Sequence, residues 1–165
     1  DVINGRRSVR SYKKEQLKDE EIEKIINAGL MAPTARGEEP WHFTVISNNN
    51  LIEEIGEDSK NIAKNIDNEH LQKLANNSKF KPFYNAPTIV FISGDSKQFT
   101  SREDCALAGQ NIMLAAESLG IGSVFLEFPI FAFNELMNPF LSLFLLTALF
   151  TFTFGSSTSP SDKKT

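Results

Sequence analysis

Cysteine is nearly absent. One residue, Cys105, stands in 165, so no disulfide can form within the chain and a reducing, cytoplasmic setting is the expectation. Histidine is scarce too: His42 and His70 with one cysteine give no familiar zinc spacing, so no metal site is expected. Positive charge is in deficit, with 17 Lys and Arg against 21 Asp and Glu, a net charge of -4 and a pI near 5.3. That balance speaks against a general affinity for nucleic acid, which rests on clustered basic residues. Residues 1–14 are polar and basic without an apolar core, so no signal peptide is expected there, and the first residue is Asp rather than Met, as in a processed or trimmed chain. Charge itself is missing from Leu136 to Ser161, where Phe and Leu dominate up to Phe154 before a Ser/Thr-rich end. A membrane helix needs about 20 mainly apolar residues. Asn138, Pro139, Ser142 and several threonines interrupt this run, so a segment buried against the rest of the protein is expected instead of a span. Its abrupt composition leaves open that residues 136–165 are not the native sequence.

What is present suits a packed core. The chain is 41% hydrophobic and 23% charged, ordinary values for a globular domain of this length. Asp19 reads as a helix N-cap, with Glu20 and Glu21 in the first turn, and Ile22, Ile25, Ile26, Gly29 and Leu30 fall on one face. Pro33 closes that helix. Trp41 to Ser47 and Thr88 to Ser93 read as strands, and the polar stretch Leu51 to Asn77 as one or two surface helices. Glu103 to Leu119 is the strongest helix, with a stripe of Cys105, Ala108, Ile112, Ala115 and Leu119. Its small residues Ala106, Gly109 and Ala116 would admit a second helix at close range. Gly120 ends it, and Ser123 to Glu127 is a third strand. Alternating helices and strands imply a layered α/β or α+β domain.

Two segments stand out as candidate binding elements. In an extended chain Arg6, Ser8 and Arg10 share a face, offering two guanidinium forks and a hydroxyl to one phosphate; the plainer alternative is a solvated basic arm. Ala32 to Trp41 is a loop stiffened by Pro33 and Pro40, whose backbone amides suit the edge of a flat heterocycle; taken alone it reads rather as a plain helix-to-strand connection with Trp41 in the core. Gly120 to Phe128 carries only G-x-G after a helix, so it is not a Rossmann turn. Cys105, beside Asp104, reads as inert packing and His42 as a structural histidine.

Taken in order, R-R-S-V-R at Arg6–Arg10, A-P-T-A-x-G-x-x-P-W at Ala32–Trp41, N-A-P-T at Asn85–Thr88 and D-C-A-L-A-G-Q-N-I-M-L-A-A-E-S-L-G-I-G-S at Asp104–Ser123 resemble the nitroreductase family of FMN proteins. The resemblance covers residues 3–135. It implies an α+β fold, a mostly antiparallel sheet flanked by helices, in residues 1–135, with the atypical tail 136–165 either separate or completing the same domain. It implies a homodimer with an FMN at each of two subunit interfaces. Hydride would pass from NADH or NADPH through flavin to a nitroaromatic, quinone or similar small acceptor in a ping-pong cycle. Arg6, Ser8 and Arg10 would hold the phosphate and ribityl chain, with Arg7 nearby. Pro33, Thr34, Ala35 and Gly37 would reach the flavin of the partner subunit, and the backbone of Glu127 and Phe128 would meet its redox edge. No catalytic acid or base is implied. A specialised flavin enzyme of the same fold, such as a dehalogenase, and a flavin-storage protein without turnover are the competing readings. Gly37 and Glu39 stand where the family usually has Asn and Gln, the family's charged helix is missing after Asn134-Glu135, and only Lys163 and Lys164 remain as late basic residues.

Overall fold

The structure, a computed structural model, describes residues 1–95, 97–126, 128–129 and 146–157. After a one-turn helix α1 (Val2–Gly5), the elements are α2 (Asp19–Leu30), β1 (Trp41–Ile46), α3 (Asn49–Ala63), α4 (Glu69–Asn76), β2 (Thr88–Asp95), α5 (Ser101–Ser118), β3 (Gly122–Leu126) and β4 (Leu146–Gly155). The four strands form one sheet in the order β1-β2-β4-β3, and every strand pair in it is antiparallel.

Helix boundaries follow local chemistry. α2 begins one residue earlier than Asp19 as a cap would place it: Lys18 is the N-cap, and its backbone N–H donates to the Glu21 carboxylate at 2.8 Å. Asn48 and Asn68 cap α3 and α4, each accepting first-turn amides on its side-chain oxygen. α5 ends in a Schellman motif: Ile121 N–H reaches Ala116 O at 2.9 Å and Gly120 N–H reaches Glu117 O at 3.0 Å. Gly120 carries φ +74°, which glycine adopts without steric cost.

The sheet separates two apolar layers, and β2 shows how. Val90 and Ile92 face α2 and α5, where Ile25, Ala108, Ile112, Ala116, Phe152 and Phe154 complete one cluster. Ile89 and Phe91 face the other way, onto Ile52 of α3 and Phe83, Val124 and Leu126. Buried on both faces, β2 reads as a continuous apolar run. β4 lies between β2 and β3, with Phe152, Thr153 and Phe154 fully buried, so the uncharged stretch supplies an interior strand. Residues 136–145 and 158–165 lie outside the described residues. No described helix is long and apolar enough to cross a membrane.

The buried stripe of α5 differs in detail from its sequence reading. Cys105, Ala108, Gly109, Ile112 and Ala116 are buried, whereas Leu119 is exposed and Ala115 half-buried. Helix pairing with α2 runs through Gly29, where an added Cβ would lie 2.7 Å from Ile112. Gly109 has another partner: an added Cβ would lie 2.4 Å from Phe152 Cζ, so this glycine admits a sheet aromatic rather than a second helix. Ala106 is exposed on the single chain.

Cys105 is fully buried in this layer, and burial pushes its thiol up to about 11, the Ser101 hydroxyl partly offsetting this and the Asp104 carboxylate adding to it. Two outcomes follow. Gly109→Ala should lower stability by about 1–3 kcal/mol through overpacking against Phe152; a thermal melt identical to wild type would refute that packing. Cys105 should resist iodoacetamide at pH 8 in native buffer and react readily in denaturant, since thiolate and access are both withheld. Its folded pKa is raised, so its contribution to stability is complete below the ordinary thiol value and is lost as pH climbs towards about 11. Rapid native labelling would contradict both statements.

Candidate functional site

The basic N-terminal segment is seated on the sheet by two glycines. Val9 is fully buried and its N–H donates to Ser123 O at 3.0 Å, beside a parallel bridge between Ser8 and Ser123. The chain then crosses the end of the sheet to Tyr12, which bridges Ser157, and Lys13 N–H meets Ser156 O at 2.8 Å. The crossing passes over the paired residues Gly122 and Gly155. A Cβ on Gly122 would lie 2.8 Å from Val9, and one on Gly155 would lie 2.8 Å from Pro87 and 3.0 Å from Tyr12. Tyr12 locks the crossing: its hydroxyl donates to Val9 O at 2.6 Å and pairs with Thr153 Oγ1 at 2.8 Å. Burial raises that phenol above its ordinary range, so it stays a hydrogen-bonded neutral group at physiological pH.

With Val9 turned inwards, Arg6 and Ser8 are half-buried and Arg10 is exposed. Arg7 has a local task, its Nη1 donating to Asn4 O at 2.6 Å and Arg6 O at 2.9 Å. The Arg10 guanidinium lies 6.0 Å from the centroid of the Tyr84 ring, near the outer limit for a cation–π contact. Tyr84 and Asn85 both hold positive φ, 53° and 55°, a conformation costly for an aromatic residue. Turn bonds from Tyr84 N–H to Lys81 O and from Ala86 N–H to Phe83 O, each 2.9 Å, maintain it. Nothing in the spacing of Asn85-Ala86-Pro87-Thr88 pointed to Tyr84 as a neighbour of Arg10.

The second candidate segment sits elsewhere. Residues Ala35–Gly37 form a 3-10 turn in which Arg36 and Gly37 have φ 61° and 68°, followed by Glu39 at 46°. Ala35 N–H donates to the buried Asp104 carboxylate at 3.3 Å, and Glu39 N–H to Thr34 Oγ1 at 3.4 Å. Pro33 is exposed, Thr34 and Ala35 half-buried, and a Cβ on Gly37 would meet nothing within 4 Å, so the loop presents open backbone. Asp95 N–H bonds Pro40 O at 3.0 Å, which fixes the loop at the Asp95 end of β2. The basic segment lies at the Thr88 end, across Gly155 and Pro87. β2 runs from Thr88 to Asp95. At about 3.3 Å per residue, such a strand separates its ends by about 23 Å. One chain therefore does not bring the two candidate segments together.

Glu127 lies outside the described residues. The Phe128 side chain is buried among Ala63, Leu71 and Ala75, edge-on to Phe80 with centroids 4.9 Å apart, so it is not available to a ligand. His42 is exposed on β1 rather than structural in the core. Among the described residues no His, Cys, Asp and Glu cluster could hold a metal. A cavity of about 470 Å³ opens between α3 and residues 81–87, over Ile52, Gly56 and Phe83. Of its wall charges, Lys81 pairs with Glu53 at 3.1 Å and with Glu57 at 3.9 Å, and residues 6–10 do not line it.

The chain matches the model of the nitroreductase family over residues 3–147. A protein of Archaeoglobus fulgidus named as an NADH dehydrogenase/NAD(P)H nitroreductase is 36% identical over 131 residues, 76% of this chain and 64% of its own length. One of the same name in Methanothermobacter thermautotrophicus is 34% identical over 128 residues, 75% and 58% of the two lengths. The chain thus spans less than two thirds of these relatives. A solved nitroreductase with bound FMN from Bacteroides fragilis superposes with TM-score 0.85 at 31% identity, covering 95% of this chain and 87% of the other. An iodotyrosine deiodinase of Thermotoga neapolitana is 29% identical over 132 residues, 75% of this chain and 70% of its own. On the family match and these identities, the chain belongs to the nitroreductase family.

Proposed function

We propose that the protein is an FMN-dependent oxidoreductase working as a homodimer, with NADH or NADPH as donor and a nitroaromatic, quinone or similar small acceptor. The observation that carries this reading is the separation of the two candidate segments. A basic segment and a strained loop of open backbone stand at opposite ends of one sheet. Two antiparallel copies would bring the end of one against the opposite end of the other and assemble two composite sites. Exposed Leu107 on α5, with Leu30 and Met31 at the end of α2, are apolar side chains that a partner subunit would cover.

The residues fit the cofactor. Arg6, Ser8 and Arg10 supply charge-assisted donors for its phosphate and ribityl chain. Pro33, Thr34, Ala35 and Gly37 of the other subunit offer a rim with space beside Gly37. The backbone at Phe128 would supply the remaining edge. FMN, when bound, would supply the hydride-transfer chemistry between reduced nicotinamide and a small acceptor. The protein's part is to hold the ring, leave one face open and exclude side reactions, and no side chain is assigned as acid or base. The Bacteroides fragilis neighbour's FMN and the relatives' names support the same assignment. The deiodinase relative marks dehalogenation as the alternative acceptor chemistry on this fold.

Purified protein should show a visible flavin band, release FMN on denaturation, and oxidise NADH or NADPH steadily when menadione or nitrofurazone is added. FMN bound without such turnover would favour storage, and protein that neither carries nor binds FMN would end the reading. Arg10→Ala should weaken FMN by about 2 kcal/mol, the scale of hydrogen bonds to charged groups. Arg7→Ala should do far less, since its donors already serve Asn4 and Arg6 carbonyls. Titration of apoprotein with FMN measures both, and equal loss in the two variants would sink the assignment of Arg10.

A further inference from the structure

The loop at residues 34–39 is held in a conformation it has little means of keeping alone. Arg36, Gly37 and Glu39 all have left-handed φ, and two of the three are not glycine. The loop's own bonds are long: Gly37 N–H to Thr34 O at 3.5 Å, Glu38 N–H to Ala35 O at 3.4 Å and Glu39 N–H to Thr34 Oγ1 at 3.4 Å. Beside the Asp95 N–H to Pro40 O bond of 3.0 Å that fixes the loop's end, a further anchor, itself long at 3.3 Å but made to a carboxylate, comes from another element. Asp104, in the first turn of α5, is only 4% exposed. Its Oδ1 accepts Ala35 N–H at 3.3 Å and its Oδ2 accepts the Thr100 hydroxyl at 3.1 Å. The helix N-terminus favours the negative charge there. Apolar packing alone would be met at lower cost by an apolar residue. The carboxylate's distinct contribution is an acceptor aimed at the loop.

We propose that Asp104 is a positioning residue that pins the 34–39 loop through Ala35 N–H, fixing the backbone edge that the loop offers to flavin. The proposal rests on the reading of residues 33–37 as a flavin-contacting loop. It adds a residue of the buried helix to the determinants of cofactor retention, without contact between that residue and the cofactor.

Two readouts on the FMN-loaded protein separate the pin from the flavin reading: amide hydrogen exchange of the peptide spanning residues 34–39, and FMN release followed by recovery of free-flavin fluorescence. Three variants are compared. Asp104→Ala removes the acceptor. Asp104→Asn keeps an acceptor for Ala35 and a donor for Thr100. Ala35→Pro removes the donated hydrogen while leaving the Asp104 side chain whole, at the cost of a ring on residue 35, and Thr34, at φ −128° and ψ 152°, already has the backbone that a following proline requires. Asp104→Ala and Ala35→Pro should each speed exchange in the loop and release FMN roughly tenfold faster, the scale of one hydrogen bond to a charged group. Asp104→Asn should stay close to wild type; because it restores volume as well as an acceptor, Ala35→Pro, which leaves the Asp104 side chain whole, is the variant that tells the acceptor from packing. The double variant should be no worse than either single, because both break one contact. Should Asp104→Ala fail to fold, Ala35→Pro and Asp104→Asn decide alone. Unchanged exchange in Ala35→Pro, or accelerated FMN release in Asp104→Asn, overturns the pin. Faster exchange with unchanged FMN release overturns the loop's service to flavin while leaving the pin intact, and wild-type protein that binds no FMN places the failure in the flavin reading itself.

Discussion

The insertion of β4 between β2 and β3 is the constraint on which the remainder depends. β2 pairs with β4 over eight registered positions, from Thr88 with Phe154 to Asp95 with Leu146. That pairing makes both β2 and β4 interior strands: β2 is apolar on both faces, and the buried Thr153 of β4 has its hydroxyl paired with Tyr12. It also sets β3 far enough out to receive the N-terminal segment on its free side, and it leaves β1 as the opposite edge. Without β4, β3 would have no partner among the described strands, and Val9 would have no seat beside Ser123.

Glycine sets the close approaches within this frame, and each for a different neighbour. Gly29 lets α2 meet Ile112 and Phe43, Gly109 makes room for Phe152, and Gly122 with Gly155 lets the N-terminal segment cross the end of the sheet. The first two set the thickness of the α2–α5 layer on the sheet. The last two decide where Arg6, Ser8 and Arg10 lie, because Val9 and Tyr12 are clamped over them. Core packing and the placement of the candidate binding residues are thus one problem.

Much of the fold was legible in the sequence because its signals are local. The helix at residues 19–30 declares itself by first-turn acids and an isoleucine stripe, and the helix end at Gly120 by the need for a positive φ. β2 is readable because a short β-branched run bounded by Pro87 and Gly94 has few alternatives. The errors are of a different kind. Gly109 is small in sequence, but sequence does not say that its neighbour is Phe152, 43 positions on, rather than another helix. Leu119 continues the α5 periodicity beyond the point where the Schellman turn has already lifted it to the surface. Composition alone does not reveal which strand is interior; Phe152, Thr153 and Phe154 of the uncharged stretch are buried because β4 lies between β2 and β3.

The candidate site divides along the same line. Arg6, Ser8 and Arg10 were visible as a pattern because alternation along an extended chain is a local property. Tyr84 and Asp104 were not visible as partners of the two candidate segments, since each acts across the fold: Tyr84 from the turn before β2 towards Arg10, Asp104 from α5 towards Ala35. Both lie beside residues with positive φ, and a conformation of that kind persists only where its surroundings over-determine it. Strain and its restraint occur at both ends of the sheet, at 84–85 and at 36–39. Under a composite site made from two copies, those are the two ends that meet. Rigid backbone would then face rigid backbone across the cofactor, which is the arrangement that lets a small set of donors orient a flat ligand without a dedicated catalytic side chain.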